Sequence, residues 1–247
     1  MNYLIVGASS GLGRDLAYTL SKNSHDLILI SRDKRDLDAI KSDIENKYKT
    51  KINSYEVDLS SKDSVISFLD NNEIELSTID GVLFPIGMMS ENDSLTQIKS
   101  EIDQINNANF LSIVKFLEKI IPIFKEKQKG TIVGFGSVAS SLGREKNIIY
   151  TASKRALNSY FESLSAACVN SSINIQFYIL GYLDTNLAFD KKLILPKAST
   201  KQLATKVFEN MSKKNIKKYY PSWWGLISYF ISLIPFFIIK KLFKFIK

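Results

Sequence analysis

The sequence is poor in the residues from which many active sites are made. One cysteine, Cys168, excludes an intramolecular disulfide and a cysteine-built zinc site, and its place in an apolar-spaced helix reads as small core filling. One histidine, His25, excludes a histidine metal cluster and argues against a Ser-His-Asp hydrolase. It stands in Ser24-His25-Asp26, between a helical and a strand pattern, and reads as a solvated loop residue. No metal site is expected. No charged leader with a long apolar stretch opens the chain, so no signal peptide is read, and the body is expected in the cytoplasm. Repeats, Gly/Ser linkers and low-complexity tracts are missing. Glycine is scarce, 11 in 247 residues, against roughly 7% in an average protein. Three of these glycines nevertheless fall between residues 7 and 13.

What is present is globular. The chain is 45% hydrophobic and 23% charged, which excludes global disorder and allows one sizeable α/β core. The net charge of +8 hides an asymmetry. Residues 1–190 hold 20 Lys+Arg against 24 Asp+Glu, a balance of −4; residues 191–247 hold 13 Lys against Glu209 alone, a balance of +12. A basic end on a mildly acidic body points to an anionic surface as partner. No helix-turn-helix or zinc-finger spacing accompanies it, so nucleic acid is not expected.

Apolar runs of strand length at 3–6, 27–30, 52–57, 81–84, 131–135 and 173–180 alternate with helical periodicity at 13–22, 37–47, 65–71, 98–127 and 151–170. This alternation predicts a doubly wound α/β domain of Rossmann type, a parallel sheet with helices on both faces. Three regions are expected: a catalytic core over 1–190, a substrate-lid region with the last strand over 191–218, and a membrane-associating segment over 219–247.

The first strand runs into Gly7-Ala8-Ser9-Ser10-Gly11-Leu12-Gly13, with a helix opening at Arg14. Glycines between a strand and a helix allow a tight turn and close approach of a pyrophosphate, which the helix N-terminus then holds. The second strand ends in Ser31-Arg32. A carboxylate there selects NAD and an arginine accommodates the 2′-phosphate of NADP, so NADP(H) is expected, with Asp33 and Asp36 close enough to serve NAD instead. Tyr150 and Lys154 stand four apart, one helical turn, where an ammonium can lower a phenol's pKa toward neutrality. Ser137, thirteen residues before Tyr150, follows the fifth strand and can hold a substrate oxygen. Met88 and Met89 read equally as pocket lining or as filler.

These motifs resemble the short-chain dehydrogenase/reductase family over about residues 3–190. The resemblance implies a cofactor site of Gly7, Ser9, Ser10, Gly11, Leu12, Gly13, Ser31 and Arg32, with Asp58 and Leu59 at the adenine and Gly87 after the fourth strand. Gly181, Leu183 and Thr185 match the loop at the nicotinamide. Asn109, Ser137, Tyr150 and Lys154 match the family's catalytic set, with Tyr150 as proton donor and Ser137 on the substrate oxygen. Lys154 would tune Tyr150 and grip the ribose, and Asn109 would hold a water in the proton relay. Two departures stand out: Phe84-Pro85-Ile86-Gly87 replaces the usual Asn-Asn-Ala-Gly, and Leu180 replaces the usual proline before Gly181. A homodimer is a further expectation from the family.

From Tyr219 to Ile239 run 21 residues without a charge, flanked by Lys213, Lys214, Lys217 and Lys218 before and Lys240, Lys241, Lys244 and Lys247 after. Lysine on both flanks opposes a span, and Pro235 interrupts a single helix. An in-plane anchor on the inner face of the cell membrane is expected, with the last lysines on one face of a helix and Leu242, Phe245 and Ile246 on another. The segment resembles a membrane-associated branch of the family that reduces polyprenyl-phosphate-linked keto-pentose. The expected activity is NADPH-dependent reduction of a lipid-linked or lipidic keto substrate. A catalytically idle NADP(H)-binding membrane protein and a soluble 3-ketoacyl reductase are the rival readings.

Overall fold

The structure is a computed structural model and describes residues 1–71, 74–91, 93–94, 101–143, 145–185, 195–214, 216–235 and 237–239. Seven strands form one parallel sheet: β1 (Asn2–Val6), β2 (Asp26–Ser31), β3 (Ile52–Glu56), β4 (Gly81–Phe84), β5 (Gly130–Ser137), β6 (Ile173–Leu180) and β7 (Ile216–Tyr220), in the order β3-β2-β1-β4-β5-β6-β7. The chain winds outward from β1 to β3 and then returns to place β4 on the other side of β1. Strand order therefore reverses between β1 and β4, and their C-terminal ends open a crevice there.

The sheet is covered on both faces. In β1, Leu4 and Val6 enter one core and Tyr3 and Ile5 the other, as the two-residue period of a strand requires. On one face lie α1 (Gly11–Lys22), α2 (Lys34–Tyr48) and α7 (Thr200–Asn210), through Leu16, Leu20, Ile40, Ile44, Leu203 and Val207. On the other lie α3 (Lys62–Asp70), α5 (Ser112–Glu126) and α6 (Ile148–Ala167), through Phe68, Phe116, Ile120, Phe124, Leu157 and Phe161. The doubly wound parallel sheet expected from periodicity is the fold observed.

Several boundaries differ from expectation. The first helix opens at Gly11, inside the glycine loop, rather than at Arg14. β5 continues to Ser137, which thus stands in the strand. The helix expected over 98–127 is interrupted: α4 (Ile102–Asn106) passes into a π-turn at Asn107–Leu111, which carries Asn109, before α5 begins. His25 lies in the loop before β2 as expected, but it is half-buried rather than solvated. Its ring packs on Tyr3 and Phe208, centroids 5.2 and 5.9 Å away, and burial pushes its pKa down. Cys168 is buried at the end of α6.

The 21-residue uncharged stretch is not one element. The expected boundary at 218/219 cuts β7, which Tyr219 and Tyr220 complete. α8 (Trp223–Leu233) follows with 11 residues. No helix among the described residues is long and apolar enough to cross a membrane. The basic helix expected at the extreme C-terminus, from Lys240 on, lies outside the described residues, as does part of the expected lid region.

Candidate active site

A cavity of about 540 Å³ opens at the crevice. Of the sixteen distinct residues expected to bind cofactor, Gly13 alone does not line it. The nucleotide end is built from backbone. Gly7 and Gly11 have φ of +98° and +50°, which an L side chain rarely adopts. A Cβ on Gly13 would stand 1.9 Å from the Gly7 carbonyl oxygen, so Gly13 acts by letting α1 pack on the turn. Ser10 stands at the N-cap without a side-chain cap bond, and no acidic residue occupies the first turn. The first amides of α1 are left for an anion. These features fit a dinucleotide pyrophosphate.

The adenosine side shows which of two cofactors the residues suit. Arg32 is exposed and lines the cavity; Ser31 is held by a 2.7 Å hydrogen bond between its hydroxyl and that of Ser9. Asp33 instead caps α2, accepting from the Asp36 amide at 3.0 Å, and Asp36 pairs with Arg35. Neither carboxylate lines the cavity. Asp58 accepts from the amide and hydroxyl of Ser60, at 2.9 and 2.6 Å.

The substitution of Phe84-Pro85-Ile86 for the usual polar residues has a packing reason. Phe84 is fully buried against Phe116, and Ile86 lies 3.1 Å from where a Gly7 Cβ would be. The side-chain contribution here is apolar, while the Ile86 backbone carbonyl keeps a polar task. It accepts from Lys154 Nζ at 2.7 Å, and the Phe135 carbonyl accepts from the same nitrogen at 3.2 Å. Lys154 is 2% exposed, and burial lowers its pKa to about 7.

Ser137, Tyr150 and Lys154 all line the cavity. Ser137 Oγ accepts from the Ala139 amide at 3.1 Å, which orients the hydroxyl and leaves its hydrogen to donate. Asn109 does not line the cavity. It is fully buried; its Oδ1 accepts from the Met88 amide and its Nδ2 donates to the Met88 carbonyl, both at 2.8 Å, and to Ser153 Oγ at 3.2 Å. Both amide hydrogens are thus spent on protein, and the side chain fixes the cavity wall at Met88. Met88 and Met89 both line the cavity.

Sequence reasoning missed the residues brought in from afar. Asp93 binds the first turn of α6, accepting from the amides of Ile149 and Tyr150. Asn147, with φ of +58°, lines the cavity beside Tyr150; an asparagine just before a helix was the available signal. Tyr182 lines the cavity and meets Trp224 edge-on at 5.4 Å. Trp224 explains Gly181, where a Cβ would lie 1.8 Å from the indole nitrogen. Thus α8 is packed on the loop that follows β6, and Ser228 touches Ser141 beyond Ser137. Its outer face is apolar and exposed: Leu226 62%, Phe230 58% and Leu233 59%.

The short chain dehydrogenase family profile matches residues 2–193, and the chain belongs to that family. The NADP-dependent 3-hydroxy acid dehydrogenase of Schizosaccharomyces pombe is 26% identical over 213 residues, 84% of this chain and 79% of that protein. The human very-long-chain 3-oxoacyl-CoA reductase is 27% identical over 202 residues, 79% of this chain and 64% of its own length. Among solved structures, a short-chain dehydrogenase from Sphingobium yanoikuyae in complex with NADPH superposes with a TM-score of 0.80 at 21% identity, covering 95% of this chain and 96% of that one. The protein is an NAD(P)-dependent oxidoreductase acting on hydroxyl or keto groups.

Proposed function

We propose that the chain is an NADPH-dependent ketoreductase acting on a lipidic or lipid-linked keto substrate at a membrane surface. One observation carries the lipid part of the reading: the helix with the exposed apolar face is packed directly on the loops at the substrate end of the cavity. Lys213, Lys214, Lys217 and Lys218 precede that helix and suit anionic headgroups. The long-chain 3-oxoacyl substrate in the name of the human relative supports the same class.

The nucleotide would lie along Gly7–Leu12 with its 2′-phosphate near Arg32, its adenine near Asp58 and Leu59, and its nicotinamide near Gly87, Gly181, Leu183 and Thr185. When bound, it supplies hydride to the carbonyl carbon. Ser137 donates a hydrogen bond to the substrate oxygen and stabilises the charge that develops there. Tyr150 gives its phenolic proton to that oxygen. Lys154, gripped by two carbonyls, places a positive charge beside Tyr150 when protonated. Asn109 holds the Met88 wall in place.

The test pairs turnover with binding. NADPH oxidation is followed with 3-oxobutanoyl-CoA and 3-oxododecanoyl-CoA, and flotation is measured on phosphatidylglycerol vesicles. Longer chains are expected to raise kcat/KM, and the triple variant L226E/F230E/L233E is expected to lose flotation. No turnover of either thioester, together with no vesicle binding, would overturn the reading.

A further inference from the structure

Met88 and Met89 line the cavity, and two side chains tie the chain on either side of them to the helices around the site. At Met88 the tie is Asn109. At the other end it is Asp93, which is 3% exposed. One carboxylate oxygen accepts from the Ile149 amide and the other from the Tyr150 amide, both at 2.9 Å. The Asp93 carbonyl accepts from the Asn147 amide at 2.6 Å, and Ser94 pairs with Lys146 in an antiparallel bridge.

These bonds satisfy donors that α6 cannot satisfy itself. The first amides of a helix have no partner within it and are normally capped by the residue just before. Here that residue is Asn147, which makes no side-chain cap bond. The cap comes instead from 57 positions before Tyr150. Asn147 is thereby left with its side chain on the cavity wall. A carboxylate is also the favoured charge at the positive end of a helix.

The three reactive side chains are anchored independently. Lys154 is fixed by the Ile86 and Phe135 carbonyls, and Ser137 by β5 and Ala139. Tyr150 sits in the first turn of α6, where helices fray when uncapped.

We propose that Asp93 is a positioning residue for Tyr150: by capping α6 through the Ile149 and Tyr150 amides it sets where the phenol stands relative to Ser137. This rests on the reductase reading. It goes beyond that reading by placing control of the proton donor on a loop residue outside the catalytic set.

The experiment uses D93N and D93A, each alone and combined with Tyr150→Phe. Turnover is read with NADPH and 3-oxododecanoyl-CoA, NADPH affinity by fluorescence titration, and amide hydrogen exchange at residues 149 and 150. D93N is expected to lower kcat about tenfold and D93A about a hundredfold, the scale of a small misplacement of a reacting group. NADPH affinity is expected to hold within about twofold, and exchange at 149 and 150 to accelerate. On the Tyr150→Phe background neither substitution lowers the residual rate further, because the residue through which Asp93 acts is already silent. An unchanged kcat in D93N overturns the proposal. So does an equal loss with and without the tyrosine hydroxyl, which would mark general damage to the fold. Should D93A fail to fold, D93N carries the test, since it keeps the shape and one acceptor. If the wild type turns over no thioester, the 3-oxoacyl substrate falls and hydrogen exchange carries the test: unchanged exchange at 149 and 150 in D93N overturns the proposal on its own.

Discussion

At the nucleotide end of the cavity, Gly7, Gly11 and Gly13 act through the side chains they do not have, and neighbouring residues in sequence supply the whole turn. At the substrate end, Ser137, Tyr150 and Lys154 act through side chains, each held by a partner distant in sequence or by the end of an element. The glycine turn of the first end is a local object carried by β1 and α1, to which the ends of β2 and β3 add Arg32 and Asp58. The second exists only when β4, β5, α6, Met88 and Asp93 have docked. The difference predicts that chemistry and cofactor binding separate cleanly under mutation.

The largest expected effect tests that separation. Tyr150→Phe removes one hydroxyl at the substrate end and nothing at the nucleotide end. Turnover is expected to fall about 10²–10⁴-fold, the usual contribution of a general acid, while NADPH affinity stays unchanged in fluorescence titration. Normal turnover in this variant would assign the proton to another group and dissolve the distinction between the two ends.

A smaller effect sharpens the nucleotide end. Arg32 lines the cavity while Asp33 is occupied as the cap of α2. Arg32→Ala is expected to weaken NADPH binding about ten- to hundredfold, the worth of a charge-assisted hydrogen bond of roughly 1.5–3 kcal/mol, and to leave NADH binding nearly untouched. Equal losses for both cofactors would show that Arg32 supports the loop rather than the 2′-phosphate.

What could be read from the chain follows the same division. The glycine loop, Ser31-Arg32 and the Tyr150/Lys154 pair are short-range patterns, and each lines the cavity as expected. Asp93 is silent in the sequence because a cap is legible only when it precedes its own helix, and this one reaches α6 from the far side of α4, α5 and β5. Phe84 stands out in the sequence only as a departure from the family pattern, because its edge contact with Phe116 is invisible in one dimension. The stretch from Tyr219 to Ile239 was read as one segment because an uncharged run reports burial or partition, not element type. Its first two residues complete β7, and Trp224 belongs to the core against Gly181. The π-turn that aims the Asn109 side chain at Met88 has no local signature in the sequence.

The smallest expected effect concerns Lys154, the point where the two ends meet. Burial lowers its pKa to about 7 in the folded chain, against about 10.4 in an unfolded one. Between those values the unfolded chain carries a proton that the folded chain has shed, so stability rises with pH across that window. Below about pH 7 both states are protonated and the folded state bears the full penalty of a buried ammonium; above pH 10.4 both are neutral and the penalty is gone. The slope within the window is at most about 1.4 kcal/mol per pH unit. Tyr178, whose pKa burial raises to about 12, contributes only above about pH 10, with the opposite sign. Lys154→Met removes the lysine contribution and leaves the tyrosine one. Without cofactor, the wild type is therefore expected to gain about 1 kcal/mol, or about 2–4 °C in melting temperature, between pH 7 and 8 relative to the variant. Parallel melting curves for the two proteins across pH 7–10 would show that the two carbonyls hold the ammonium as well as water does, and that the substrate end carries a permanent positive charge.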